Sequence, residues 1–259
     1  MSFAFALVLL ASLPLGQSPA KPQVSLRSAL RVDGVDVVAV ESNARALPRA
    51  ELAKIAADPK LLATLNDKHL MHVATLESSA PIAIGTAFLG AGSHSIALAI
   101  SASGLTIRLG ADGDMVTLGA ESESAAYSAR PTFTITSSAD GSSYVLDVAF
   151  AAWAGSLPIR LGNEVVADMN NVAFDLLQQK DATASHARNA LRLARIASEA
   201  TELREPRVLD TFALALFRNG HVADAIKVQK RALELLPAQD DLREQAQQRL
   251  AQFENQKRG

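Results

Sequence analysis

The sequence contains no cysteine, and aromatic residues make up only 5% of its 259 residues. Without cysteine the chain has no disulfide framework, no thiolate zinc site and no cysteine for a lipid anchor. The formal net charge of −2 and the pI of about 6.2 provide no basic field for nucleic acid or an anionic membrane surface. The scarcity of aromatic residues also argues against a platform for stacked bases. We therefore expect no nucleic-acid partner.

The most apolar segment is too short to cross a membrane unaided. It reads FAFALVLLASLPL and is 13 residues long, whereas a spanning helix needs about 20. Residues 1–20 carry no charged side chain, and Ser18 and Ala20 place small residues before Lys21. This pattern predicts a signal peptide over residues 1–20, a periplasmic or secreted protein, and no membrane span after cleavage. An uncleaved anchor or a buried N-terminal segment stays open, because no Lys or Arg precedes the apolar run.

Charge density divides the chain into two parts. Residues 71–160 carry 10 charged side chains, and residues 171–259 carry 26. The charge-poor part alternates apolar and polar residues with a period of two, which is typical of strands. Five such strands are predicted at 94–102, 105–110, 115–119, 131–137 and 143–151, after a hairpin whose tip is Asp33-Gly34 and a short helical patch at 48–65 that Pro59 divides.

After Gly162 the apolar residues recur at steps of three and four, as they do in helices. The predicted helices span 165–179, 184–203, 206–217, 222–236 and 239–253. Short strands followed by helices predict an α+β protein. We expect an antiparallel β-sandwich or barrel over residues 21–162 and a helical domain over residues 163–259.

The segment LDTFALALFRNGHVADAIKVQKRALELLP, residues 209–237, resembles a tetratricopeptide repeat. The positions that carry the resemblance are Leu209, Phe212, Ala213, Leu216, Gly220, Ala225, Ala232 and Pro237. Gln229 stands where an aromatic residue is usual. Ala190 and Ala197 lie 35 residues before two of these alanines, so a degenerate repeat precedes the clear one, and the helix at 239–253 resembles a terminal cap.

The resemblance implies paired helices whose inner surface binds a protein or peptide. The residues expected to contact that partner are Leu209, Phe212, Leu216, Arg218 and Gln229. Residues 65–162 more faintly resemble a β-rich domain of unknown function from exported bacterial proteins, which is often fused to such repeats. That likeness rests on Gly85, Leu89, Ala91, Gly92 and a late strand with Trp153, and it implies no established activity.

Candidate site residues are few. His69 and His72 are spaced to share a helix face and form the nearest approach to a metal pair, although surface histidines explain them as well. His94 is interpreted as a turn residue, and Asp112–Asp114 as a hairpin tip, not a calcium loop. The arginines at 188, 192 and 195 are interpreted as a solvated helix face. We expect no metal, no cofactor and no catalytic residue.

Three functional hypotheses follow. The first is an exported, non-enzymatic protein that binds a protein or peptide through its helical repeats. The second is a small-ligand binder or hydrolytic enzyme with a site in the β half near His69, His72 or His94. The third is a helical array that only braces the sheet. An open groove around Leu209 and Leu216 would favour the first hypothesis, and a closed one the third.

Overall fold

The computed structural model describes residues 26–258 except for positions 33, 43, 71, 102–103, 111–114, 120–126 and 140, and it leaves undescribed the side chains at 32, 69, 115–119 and 258. The predicted signal peptide, the Asp33 half of the first hairpin tip and the Asp112–Asp114 tip lie outside the described residues. In the described part, no helix is both long and apolar enough to cross a membrane.

The first part of the chain forms eleven described strands and two short helices. The strands are β1 (Leu26–Val32), β2 (Val35–Ser42), β3 (Ala74–Ser78), β4 (Ile82–Ile84), β5 (Ala87–Leu89), β6 (Gly92–Ser101), β7 (Gly104–Leu109), β8 (Met115–Gly119), β9 (Ser128–Ser137), β10 (Tyr144–Ala151) and β11 (Trp153–Leu161). Helices α1 (Arg49–Ala56) and α2 (Pro59–Thr64) and a π-helical turn (Leu65–His69) lie between β2 and β3.

These strands build two antiparallel sheets. The larger sheet has the order β1-β2-β3-β6-β7-β8, and the smaller has the order β5-β4-β11-β10-β9. Gly34 and Gly141 have φ values of +80° and +69°, which a glycine adopts without steric cost at a chain reversal. One continuous cluster of buried aliphatic and aromatic side chains contains residues of both sheets, so the sheets share a single core.

The remaining helices follow directly after the last strand. They are α3 (Asn163–Gln178), α4 (Ala184–Ala200), α5 (Pro206–Arg218), α6 (Val222–Leu235) and α7 (Leu242–Arg258). Two antiparallel sheets and seven helices in the described residues confirm the predicted α+β class. The division into domains at residue 162 stays a prediction, although β11 ends at Leu161 and α3 begins at Asn163.

Local sequence signals explain most helix boundaries. Pro59 and Pro206 each occupy a first helical turn, where the missing N–H costs nothing. Thr183 caps α4 by accepting a hydrogen bond from the His186 N–H, and the Thr183 N–H donates in return to His186 Nδ1, both at 3.3 Å. Gly220 ends α5 with a φ of +82°, so α5 and α6 form a helical hairpin instead of one rod.

Alanines let the helices approach each other closely. The helix alanines that are fully buried in the helical core are Ala173, Ala190, Ala194, Ala197, Ala213, Ala215, Ala225 and Ala232. The same core includes Ala83 of β4, and Phe88 of β5 packs against it. The helical part therefore packs against β4 and β5, at one end of the smaller sheet.

Some predicted boundaries are wrong. The last helix begins at Leu242, not at 239, because the Asp240 carboxylate accepts a hydrogen bond of 2.9 Å from the Leu242 N–H and so starts the helix there. His94 lies inside β6 and is not a turn residue. His72 lies beyond the end of the helical segment with a φ of +56°, so it shares no helix face with His69.

Candidate functional site

The five residues predicted to contact a partner are mostly covered by the chain itself. Leu209 is 1% exposed, Leu216 9% and Gln229 0%. Phe212 is partly buried against the helical core, and Arg218 is exposed. The groove expected around Leu209 and Leu216 is therefore closed in this structure, and partner binding through these residues stays a prediction.

Helix α7 closes part of that region. Arg249 of α7 forms an ion pair with the buried Asp210 of α5, and its guanidinium lies 5.9 Å from the centre of the Phe174 ring. Phe253 stacks on Phe217 with ring centroids 4.3 Å apart. Burial holds the pKa of the Arg249 guanidinium below its ordinary value. The Gln229 amide donates to Asp210 at 2.8 Å, so α5, α6 and α7 meet at one buried polar cluster.

The histidine side chains that the structure describes do not converge on a metal site. No group of three His, Asp or Glu side chains in the described residues is placed to hold a metal ion. His72 is exposed after the π-helical turn, and the side chain of His69 lies outside the described residues. His94 lines a cavity between the sheets and the helices.

That cavity lies at the junction of the sheets and the helices. It has a volume of about 440 Å³ and is open to solvent on one side. We call it the junction cavity. Its lining comprises Pro81, Leu89, Gly90, Ala91, His94, Leu109, Gly110, Arg192, Arg195, Ile196, Glu199 and Ala200. The volume lies within the range of about 300–1,000 Å³ typical of small-molecule sites.

Helix α4 provides one wall of the junction cavity. Arg192, Arg195, Ile196 and Glu199 recur at steps of three and four, which places them on one side of a helix. The interpretation of the arginines at 188, 192 and 195 as a solvated face is wrong for Arg192, which is half-buried. Its guanidinium donates to the Phe88 carbonyl at 3.0 Å and to the Asn189 side chain at 2.9 Å. Arg192 therefore fixes α4 to strand β5.

Strand ends from both sheets provide the opposite wall. His94 Nε2 lies 2.8 Å from the Gly90 carbonyl oxygen, and it must donate because a carbonyl only accepts. In the neutral imidazole the other nitrogen, Nδ1, is then an acceptor. A Cβ atom on Gly90 would lie 3.5 Å from Ile196, so the 90–91 loop rests directly against α4.

Two opposite charges at the junction cavity have no partner among the residues that the structure describes. Arg195 and Glu199 are exposed and lie one helical turn apart on α4, with Cβ atoms about 6 Å apart by helix geometry. Within the part of the chain that the structure describes, neither side chain forms an ion pair or hydrogen bond. Leu89, Leu109 and Ile196 form an apolar surface beside them. The arrangement can hold a small molecule with an anionic group, a cationic group and an apolar body.

Sequence reasoning missed Arg195 and Glu199 because charges on an amphipathic helix are usually solvated. The sequence does show Arg195, Ile196 and Glu199 on one side of a helix. This pattern indicates a binding site only once the 89–94 segment, about a hundred residues earlier in the chain, is known to lie opposite it. Comparison with protein-family models, with curated proteins and with solved structures finds no match for this chain.

Proposed function

We propose that this protein binds a small zwitterion with an apolar side chain, such as a free aliphatic amino acid, in the junction cavity. The observation that carries the proposal is the pair of uncompensated opposite charges, Arg195 and Glu199, beside an apolar wall. This proposal develops the second hypothesis in its ligand-binding form, with His94 lining the site.

Each charged group has a matching role in this proposal. The Arg195 guanidinium presents paired N–H donors to a carboxylate, a geometry that favours bidentate hydrogen bonding. The Glu199 carboxylate accepts from an ammonium group, and His94 Nδ1 offers a second acceptor. Because Arg195 and Glu199 are not paired with each other, the ligand breaks no existing ion pair when it binds.

The apolar wall selects the side chain of the ligand. Leu89 and Leu109 are buried side chains of β5 and β7, and Ile196 is half-buried on α4. Leu89 and Leu109 are only 4% and 0% exposed and back this wall, so the gain of about 0.025 kcal/mol for each Å² of apolar surface that an aliphatic ligand removes from water comes mainly from Ile196 and the ligand itself. A polar side chain of the same size would lose hydration there without a hydrogen-bonding partner.

In this proposal the helical array serves mainly as a wall and brace for the sheets. Arg192 joins α4 to β5, and Asp168 of α3 forms an ion pair with Arg160 of β11. The burial of Leu209 and Gln229 within the helices supports this brace role over a peptide-binding groove. A signal peptide at residues 1–20 would place the binding protein outside the cytoplasm.

The test is isothermal titration of the full chain with L-leucine and two truncated probes. 4-Methylpentanoate lacks the ammonium group of leucine, and isoamylamine lacks the carboxylate. We expect leucine to bind more tightly than either probe. Arg195→Gln and Glu199→Gln should each weaken leucine binding about three- to tenfold, because hydrogen bonds to charged groups at an exposed site are partly screened.

Arg188→Gln is the matched control. Arg188 is exposed on the same helix but does not line the junction cavity, so its removal should leave leucine binding unchanged. Equal binding of leucine and 4-methylpentanoate would refute the role of Glu199. If wild-type protein binds no amino acid, or if all three variants weaken binding equally, the proposal is wrong.

A further inference from the structure

A second cavity lies at one end of the β-sandwich, under the short helices α1 and α2. It has a volume of about 210 Å³, and we call it the end cavity. Its inner surface is aliphatic and aromatic, with Leu65, Leu70 and Phe150 buried at 6%, 3% and 1% exposure. Leu61 of α2 lines the end cavity from the side of the short helices and is only half-buried.

The mouth of the end cavity carries charge. Lys68, on the π-helical turn, and Arg45 contribute cationic side chains, and Glu51 of α1 contributes one carboxylate. Lys68 is exposed, and within the described residues its ammonium group has no ion-pair or hydrogen-bond partner. An apolar interior with a cation at the entrance complements a molecule that has an aliphatic body and one anionic end.

Hydrogen bonds fix two of the segments that surround the entrance. The Asn66 side chain accepts from the Ile100 N–H and donates to the Ile100 carbonyl, both at 2.9 Å, which fixes the π-helical turn to β6. The Tyr127 hydroxyl donates to the Leu47 carbonyl at 2.7 Å. Burial raises the pKa of Tyr127, so its hydroxyl stays protonated at neutral pH. Hydrogen bonds from Asn66 and Tyr127 thus fix two segments of the rim, and one of their partners, Leu47, lines the cavity.

The cavity is large enough for a medium-length chain. Its 210 Å³ corresponds to about seven water volumes at about 30 Å³ each, which matches an aliphatic chain of roughly seven or eight carbons. π-Helical turns are rare and occur frequently at functional sites. Here the turn carries both Leu65, in the interior, and Lys68, at the mouth.

We propose that the end cavity binds a medium-chain aliphatic carboxylate, with the chain among Leu61, Leu65 and Phe150 and the carboxylate at Lys68. This ligand class and location are distinct from the zwitterion site in the junction cavity. The two sites share no lining residue, so each can be tested in the absence of the other.

The test is titration of the full chain with octanoate and 1-octanol. Lys68→Gln should weaken octanoate binding about two- to fivefold, as expected for a solvent-exposed charge pair, and should leave 1-octanol binding unchanged. Lys60→Gln is the matched control, because Lys60 is exposed on α2 but does not line the end cavity. It should change neither affinity.

A second variant tests the interior. Leu61→Trp adds a bulky ring at a half-buried position, where it occupies the cavity, and should abolish binding of both probes. If that variant melts more than a few degrees below wild type, the Lys68 comparison between octanoate and 1-octanol decides the question. The inference is overturned if wild-type protein does not bind octanoate, if Lys68→Gln affects both probes equally, or if Arg195→Gln removes octanoate binding.

Discussion

The buried ion pair between Arg249 and Asp210 provides a quantitative test of how α7 is held. The two residues are 8% and 3% exposed. Removing one member of such a pair typically costs about 3–5 kcal/mol, because the remaining charge stays buried without compensation. We expect Arg249→Met to fall near the lower end, about 3 kcal/mol, for two reasons. Asp210 keeps its hydrogen bond from Gln229, and the Met chain keeps much of the packing of the arginine stem.

The measurement is urea unfolding followed by circular dichroism at 222 nm. In a thermal melt followed by the same signal, a loss of about 3 kcal/mol in the free energy of unfolding should lower Tm by about 6–12 °C for a chain of this size class. The double variant Asp210→Leu with Arg249→Met should recover most of the loss, because an apolar pair replaces an ionic one without leaving a buried charge. Gln229 then still donates to the Ala246 carbonyl at 3.2 Å.

Arg231→Met is the control for this series. Arg231 pairs with Glu234 on the surface of α6, and both side chains are at least half exposed. Its loss should stay within about 0.5 kcal/mol. The reasoning is refuted if Arg249→Met also stays within about 0.5 kcal/mol of wild type, or if the double variant is less stable than the single one.

Three further predictions concern other parts of the molecule. Arg31 lowers the pKa of the Asp36 carboxyl, so the pair stabilises the fold above the ordinary carboxyl pKa of about 3.9. The small Tm difference between wild type and Asp36→Asn should shrink as pH falls below that value and vanish only below the lowered pKa of the folded state; a constant difference would contradict this. Gly110 has a φ of +82°, so Gly110→Ala should lower the free energy of unfolding by about 1–2 kcal/mol, measured by chemical unfolding. Gly90→Ala should be nearly neutral, because its Cβ would meet Ile196 at an ordinary 3.5 Å. Equal losses for the two variants would refute the conformational argument. Mass spectrometry of the exported protein should give Lys21 as the N-terminal residue; an intact N-terminus would exclude cleavage there.

Much of the fold could be predicted because burial imposes a period on the sequence. The predicted segments at 131–137 and 143–151 correspond to β9 and β10. Their inward residues alternate along the strand, fully buried through most of β10 and partly buried at Ile135 of β9. Strand β3 was missed because its alternation is hidden. Ala74 and Leu76 point inward together with Ser78, whose buried hydroxyl is satisfied by the Ala80 carbonyl at 2.6 Å. Strand β4, with three residues, is too short to show any period.

The binding cavities could not be predicted in the same way. The junction cavity exists only because α4 packs across the end of β5, which brings Glu199 near His94 across about a hundred residues of sequence. The end cavity depends on a π-helical turn, and no local pattern distinguishes that turn from the end of an ordinary helix. Helix pairing itself was predictable, since Gly220 and the alanine spacing mark the α5–α6 hairpin.

The hydrogen bond from Arg192 to the Phe88 carbonyl has a consequence for the integrity of the β half. Strand β5 is the edge of the smaller sheet, and an uncovered edge presents backbone groups that can pair with another chain. Arg192 takes up one such carbonyl, while α4 covers the adjoining residues. A fragment ending at Leu161 would expose this edge together with Ala83 and Phe88. We therefore expect it to self-associate through strand pairing, so one role expected of the helices is to block this edge against pairing with another copy.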